Sequence, residues 1–147
     1  MGKTDTTTAK KMTRIESLQA EITTAIPVLK NKLLGISNRF EIAPEVLLTE
    51  LIKYLDITNQ SNQTTSPSYI IDLAWHEFIL CTKYYQLFCE KNFGKFIHHT
   101  PDTTPNKTAY KRTLAYYIKE YGVPPEKIWT NSPVINWNES SCGACHN

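Results

Sequence analysis

The amino-acid sequence predicts an all-α fold, and two observations support that prediction. In several segments the apolar residues recur at spacings of three and four, which places them on one face of a helix. Strand-like alternation of apolar and polar residues never continues beyond about five residues. With 147 residues and a hydrophobic content of 41%, the chain can bury a core of its own. We therefore predict a compact bundle of about four to five helices with an irregular C-terminal tail.

The N-terminal residues 1–11 are polar and show no periodicity, so we predict a disordered tail followed by one helical domain over residues 12–147. A helix should begin at Thr13, which occupies the first position of a capping-box pattern. Pro27 has no amide hydrogen, so it should kink or divide this helix. The apolar stripe then continues to Gly35, where we predict that the helix ends.

The next segments predict a second helix over residues 44–55, with Pro44 in its first turn, and a polar loop over residues 57–68. A third helix should extend over residues 67–92, with Gly94 as its terminator. This third helix is apolar on nearly every side, and such a helix is buried by its neighbours. We therefore place it at the centre of the bundle.

A fourth helix is predicted over residues 106–121, where aromatic and aliphatic residues form one face and Gly122 lies at the C-cap. Residues 123–129 should form a single turn anchored by Ile128 and Trp129. The remaining tail has little periodicity.

Charge and motif content exclude several classes of function. The net charge of +2 comes from 16 basic and 14 acidic residues, a balance that argues against nucleic acid or an anionic membrane as the partner. Neither of the common glycine-rich phosphate-binding motifs occurs. The N-terminal residues contain no apolar signal segment, so we expect a cytoplasmic protein with reduced thiols.

Asp72 and His76 are four residues apart on the predicted third helix, so they lie on one face within contact distance. A carboxylate that holds one imidazole nitrogen leaves the other nitrogen for a metal ion or for proton transfer. The same side of the helix also carries Lys83 and Glu90, so an exposed i,i+4 pair is the competing interpretation.

Two further groups of residues are candidate metal ligands. His98 and His99 follow an aromatic segment, and because adjacent side chains point apart, one of the two at most should serve a given site. Cys89 lies near the predicted end of the third helix, where it can join these histidines. Cys81 has apolar neighbours and is expected to pack in the core.

The C-terminal pattern Cys142-Gly-Ala-Cys145-His146 is the sharpest motif in the chain. Two cysteines at this spacing converge on one metal ion, and zinc then requires further ligands from elsewhere. The same pattern is the attachment motif of c-type haem, but the missing export signal argues against haem. A plain thiol pair is the remaining alternative.

The segments 72–76 (DLAWH) and 93–101 (FGKFIHHTP) resemble the glycine-rich domain-containing protein-like family. Many members of that family have D-x-x-W-H-x-H, whereas Phe78 occupies the position of the second histidine here, and the glycine-rich segment is absent. The resemblance implies a helical domain in which Trp75 packs, with His76, Cys89 and the His98-His99 pair as candidates for a site. It implies no particular reaction.

These observations lead to a first hypothesis, in which a small helical domain binds one structural transition metal, zinc, and acts by interaction with a protein partner or by regulation. Cys142, Cys145 and His146 would join Cys89 and a loop histidine around that ion. The alternative is a metal-dependent enzyme built on Asp72, His76 and one loop histidine, with an open coordination position. A third hypothesis is a fold without metal, in which these residues only pack or titrate.

Overall fold

Several of the helix ends lie at prolines, glycines or capping side chains. The computed structural model describes residues 2–100 and 106–130, with side chains from residue 6 onward. These residues form six helices: α1 (Gly2–Ala25), α2 (Val28–Phe40), α3 (Pro44–Gln60), α4 (Tyr69–Ile79), α5 (Thr82–Phe93) and α6 (Lys107–Tyr121). The described part of the chain contains no strand, so the all-α prediction is confirmed, with six helices in place of four to five.

Two of the predicted helix boundaries near the N-terminus are wrong. Helix α1 begins at Gly2, and Thr13 lies inside it, where its hydroxyl donates to the Ala9 carbonyl oxygen at 2.9 Å. Pro27 divides α1 from α2 as predicted. Gly35 lies inside α2, which ends instead at Glu41, a residue in the left-handed region with φ of 55°.

Helix α3 is the centre of the bundle, in place of the helix predicted over residues 67–92. It packs against α1, α2, α4 and α6. Its buried residues include the charged Glu50, Lys53 and Asp56. A hydropathy pattern predicts that charged residues are exposed, so the sequence did not indicate how deeply α3 is buried. Glu50 accepts hydrogen bonds from Lys53 Nζ at 2.9 Å and from the Tyr117 hydroxyl at 2.7 Å, so the buried charge is satisfied.

The predicted third helix is two helices with a break at residues 80–81. The Leu80 amide donates to the His76 carbonyl oxygen, and the Cys81 amide donates to that of Phe78, so the last turn of α4 is tightened. Cys81 then leaves the helical region, with φ of −83° and ψ of 60°, and α5 starts in a new direction. Positions that share a face on one straight helix, such as His76 and Lys83, are therefore separated.

Several of the remaining predictions for the described residues agree with the structure, whereas residues 2–11, predicted to be a disordered tail, belong to α1. Pro44 occupies the first turn of α3, although that helix continues to Gln60, inside the predicted polar loop. The Asn106 side chain caps α6, and Gly122 follows its last residue with a positive φ. Ile128 and Trp129 are each 2% exposed and anchor the turn that follows α6.

Candidate metal site

The first turn of α4 positions Asp72 beneath the bundle surface. The Ser68 side chain caps α4 by accepting from the Ile71 amide at 3.2 Å. Asp72 is in the first turn, where the positive end of the helix dipole stabilises a carboxylate. It is 1% exposed, so the exposed i,i+4 pair considered from the sequence is wrong. One turn later His76 extends from the same face, half-buried.

The loop after α5 returns to α4 and delivers His99 to Asp72. Gly94 ends α5 with φ of 74°, a conformation that glycine adopts without strain, and so reverses the chain. Ile97 is buried in the core, and its carbonyl oxygen accepts from the Tyr85 hydroxyl at 2.6 Å. Tyr85 in turn accepts from Trp75 Nε1 at 3.0 Å. This pair of hydrogen bonds ties the loop to α4.

His99 Nε2 lies 2.6 Å from Asp72 Oδ1, and the His99 side chain is 8% exposed. The His76 and His99 rings are 4.8 Å apart between centroids. One ligand atom from each of Asp72, His76 and His99 lies within 4.8 Å of the other two. The Trp75 ring packs on His99 at a centroid distance of 4.2 Å, which restricts rotation of the imidazole.

This arrangement supports two kinds of chemistry. Ligand atoms bound to one zinc ion, each about 2.0–2.2 Å from it, lie about 3 Å or more from each other. A carboxylate and two imidazoles within 4.8 Å therefore need small side-chain rotations to surround an ion. Alternatively, the 2.6 Å contact is a direct hydrogen bond in which His99 Nε2 donates and Nδ1 remains an acceptor.

Two cavities meet the site from different sides. One, of about 290 Å³, includes Asp72, Trp75, His98 and His99 in a wall completed by hydroxyl and amide side chains. The other, of about 240 Å³, lies between His76 and His99 and the aliphatic side chains of Ile79 and Leu80. His99 therefore borders both cavities, and a small molecule in either one would reach the histidine that contacts Asp72.

The other predicted ligands of the described chain lie outside this group. His98 is exposed, and its ring packs against Phe96 at 4.6 Å, so His99 is the loop histidine that contacts Asp72. Cys89 is fully buried, and burial raises the pKa of its thiol, which keeps it protonated. Burial also raises the pKa of the half-buried Cys81 thiol. Cys142, Cys145 and His146 lie outside the described residues, so their predicted role stays a prediction.

Sequence reasoning missed the residues that hold and surround the site. In the sequence nothing separates Tyr54 and Tyr85 from the other aromatic residues of the chain. Their hydrogen bonds, and the position of Tyr54 in the wall of the larger cavity, are visible only in three dimensions. The polar loop predicted over residues 57–68 supplies much of the larger cavity, but nothing in its composition places it beside Asp72.

The chain belongs to the UCP032817-like family, whose family model matches residues 13–122. The resemblance to the glycine-rich domain-containing protein-like family is therefore wrong. It rested mainly on residues between 72 and 101, whereas the family model spans residues 13–122. No curated protein and no solved structure matches significantly.

None of the helices in residues 2–100 and 106–130 combines the length and the apolar content that crossing a bilayer requires.

Proposed function

We propose that Asp72, His76 and His99 bind one divalent transition-metal ion and that the protein is a metal-dependent enzyme. The observation that supports this proposal is the clustering of the three ligand atoms within 4.8 Å. Two imidazoles and one carboxylate are the donor set of many catalytic zinc sites and of non-haem iron enzymes. Three protein ligands leave a coordination position for water or substrate.

The burial of Asp72 also supports a site with function. A buried carboxylate is costly unless it is hydrogen-bonded or neutralised by a cation. Asp72 is 1% exposed, and yet His76 and His99 lie beside two cavities that small molecules can enter. An ion held there would be bound by the interior of the bundle and accessible from outside it.

A second candidate function follows from the direct contact between Asp72 and His99. At 2.6 Å the carboxylate holds the His99 Nε2–H and leaves Nδ1 to accept a proton. The pair would then act as a general base without metal. The His76 ring lies beside that of His99 and would be next to the proton that is transferred.

The structural zinc site inferred from the sequence has less support in the described residues. Cys89 does not belong to the cluster, and burial favours its protonated thiol, which is a poor metal ligand. That hypothesis now depends on Cys142, Cys145 and His146.

Elemental analysis of the full chain, purified without chelators or a histidine tag, tests these alternatives. We expect about one equivalent of metal, lost in His76→Ala and in His99→Ala and retained in His98→Ala, the matched exposed control. Retention in both site variants, with loss in Cys142→Ser/Cys145→Ser, would establish the structural site instead. Absence of metal from the wild-type protein would rule out the metal proposal and leave two alternatives, the Asp72–His99 pair as a general base and a fold in which these residues only pack or titrate.

A separate measurement tests whether the bound ion has an open coordination position. Cobalt(II) is substituted for the bound ion, and azide is added while the visible absorption is recorded. A change in the cobalt spectrum is expected if water occupies a position that azide can take. An unchanged spectrum would indicate a closed, structural ion.

A further inference from the structure

We infer that the larger cavity beside Asp72 and His99 binds a small neutral polyhydroxy compound, a sugar or a polyol. The cavity has a volume of about 290 Å³ and lies between the end of α3, the loop after it and the segment that carries His99. Its wall includes six hydroxyl or amide side chains: Thr58, Gln63, Thr64, Thr65, Ser66 and Thr100. This volume is at the lower end of the range for ligand pockets, so it suits a small molecule.

The charge of the wall argues against an anionic ligand. No lysine or arginine is among the described residues that line the cavity. The nearby cation, Arg112, donates to the Thr64 carbonyl oxygen and is not part of the lining. Phosphate and carboxylate groups are usually bound by arginine or lysine or at helix N-termini. The N-terminus of α4 lies beside the cavity, but its dipole already stabilises the Asp72 carboxylate and its Ile71 amide already donates to Ser68. The acid in the wall, Asp72, already contacts His99.

The hydroxyl groups of the wall are linked in a way that suits a ligand with hydroxyls of its own. Thr65 Oγ1 lies 2.9 Å from Thr58 Oγ1 and 3.2 Å from the Tyr54 hydroxyl, and in both contacts either oxygen can donate. A hydroxyl offers one donor and two acceptor positions, so the direction of such a chain can reverse. The wall can therefore donate to or accept from a sugar hydroxyl as the ligand requires.

Two aromatic rings give the cavity its apolar part. Tyr54 and Trp75 pack edge to face at 5.3 Å and both border the cavity. They are 1% and 4% exposed, so their positions are held by the core. Rigid apolar walls combined with a few polar groups are typical of small-molecule sites, and they suit a sugar, which has C–H faces between its hydroxyls.

This inference deepens the proposed function, because the ligand would be the substrate of the Asp72, His76 and His99 site. Binding in the cavity depends on the hydroxyl wall and can be measured separately from metal content. Metal without sugar binding would contradict this inference alone, and sugar binding without metal would contradict the metal proposal alone.

The test is a nitrogen-15 NMR titration of the full chain at pH 8 with D-glucose, D-glucose 6-phosphate and cyclohexanol. We expect glucose to shift the amides of Thr64, Thr65 and Ser66 and those of residues 98–100. A dissociation constant on the order of 1 mM is reasonable for a ligand with so few non-hydrogen atoms. Glucose 6-phosphate should bind more weakly, because the described wall has no lysine or arginine to neutralise the phosphate. Cyclohexanol should also bind more weakly, because its single hydroxyl leaves most polar groups of the wall without a partner.

Thr65→Val is the deciding variant, because it removes the central hydroxyl of the chain and keeps the shape of the side chain. We expect it to weaken glucose binding about tenfold, the effect of one lost hydrogen bond, with unchanged metal content and circular dichroism. Thr23→Val, an exposed position on α1, is the control and should bind like wild type. Tighter binding of glucose 6-phosphate, shifts located elsewhere, no shifts at all, or wild-type affinity in Thr65→Val would each overturn the inference.

Discussion

His99 Nε2 lies 2.6 Å from Asp72 Oδ1, although the two residues are 27 positions apart in the chain. The contact forms because α5 ends at Gly94 and the loop folds back along α4, where Ile97 enters the core. The candidate site is therefore a product of the break between α4 and α5. A single straight helix over the same residues would direct its C-terminal end away from Asp72.

Tyr85→Phe should loosen the candidate site as well as destabilise the fold. The hydroxyl of Tyr85 accepts from Trp75 and donates to the Ile97 carbonyl oxygen, so its loss leaves two buried polar groups unpaired. We expect the free energy of unfolding to fall by about 1–3 kcal/mol. Metal affinity should fall about tenfold, because Tyr85 holds the loop that carries His99. Urea unfolding and a metal competition titration measure the two effects.

Tyr84→Phe is the matched control for Tyr85→Phe. Tyr84 precedes Tyr85 on α5, and its buried hydroxyl has no hydrogen-bond partner among residues 2–100 and 106–130. Removing an unsatisfied buried hydroxyl is neutral or stabilising, so this variant should unfold no earlier than wild type and keep its metal affinity. Equal loss of metal affinity in both variants would show that Tyr85 has no special role in positioning His99.

Gly94→Ala should destabilise the protein, whereas Gly35→Ala should stabilise it. Gly94 has φ of 74°, which costs an alanine about 1 kcal/mol or more, although no atom of the residues that the structure describes lies within 4 Å of the added Cβ. Gly35 is inside α2 with equally open space, and alanine there gains about 0.5–1 kcal/mol in helix propensity. Chemical denaturation of the two variants measures this difference. A stabilising Gly94→Ala would contradict the backbone geometry after α5.

Local rules predicted the elements of this fold better than their arrangement. Pro27, Pro44, Gly94 and Gly122 end or begin helices as expected, because each acts through its own backbone. The helix end predicted at Gly35 is wrong, because a single glycine costs a helix only about 1 kcal/mol and α2 continues past it with Leu33 and Ser37 buried on one face.

The break at residues 80–81 could not be predicted, because no proline or glycine marks it. It arises from tertiary packing, which turns α5 so that Tyr85 reaches Trp75. The spacing of four residues correctly placed Asp72 and His76 on one face of a helix, and the pair His98-His99 indicated that a histidine ligand would come from this loop. Which of His98 and His99 contacts Asp72 depends on the path of the loop, and sequence spacing does not contain that information.

Glu50→Ala should be among the most destabilising single changes in the chain. Glu50 is 3% exposed and accepts from Lys53, Tyr117 and Trp129. Without the carboxylate, the buried Lys53 ammonium loses its ion pair, which costs about 3–5 kcal/mol. Thermal and urea unfolding provide the measurement. Glu45→Ala, which breaks an exposed ion pair with Lys30, is the control and should leave the free energy of unfolding nearly unchanged.

Alkaline pH should unfold the protein through its buried tyrosines. Burial raises the pKa of Tyr110 from the ordinary value of 10 to about 12, and it also raises the pKa values of Tyr85, Tyr117 and Tyr121. A pKa that is higher in the folded state adds stability below the unfolded value, and this stability is lost as pH rises toward the folded value. The free energy of unfolding should therefore decline between about pH 10 and pH 12.

The variant Tyr110→Phe measures how much one tyrosine contributes to this decline in the free energy of unfolding. Its hydroxyl donates to the Thr130 carbonyl oxygen at 2.7 Å, so the variant loses that bond and is less stable at neutral pH. Above pH 10 its stability should fall less steeply, because one fewer tyrosine loses its proton on unfolding. The difference should reach roughly 2 kcal/mol at the upper end of the range. Urea unfolding at a series of alkaline pH values measures both slopes, and parallel slopes would mean that Tyr110 titrates normally in the folded protein.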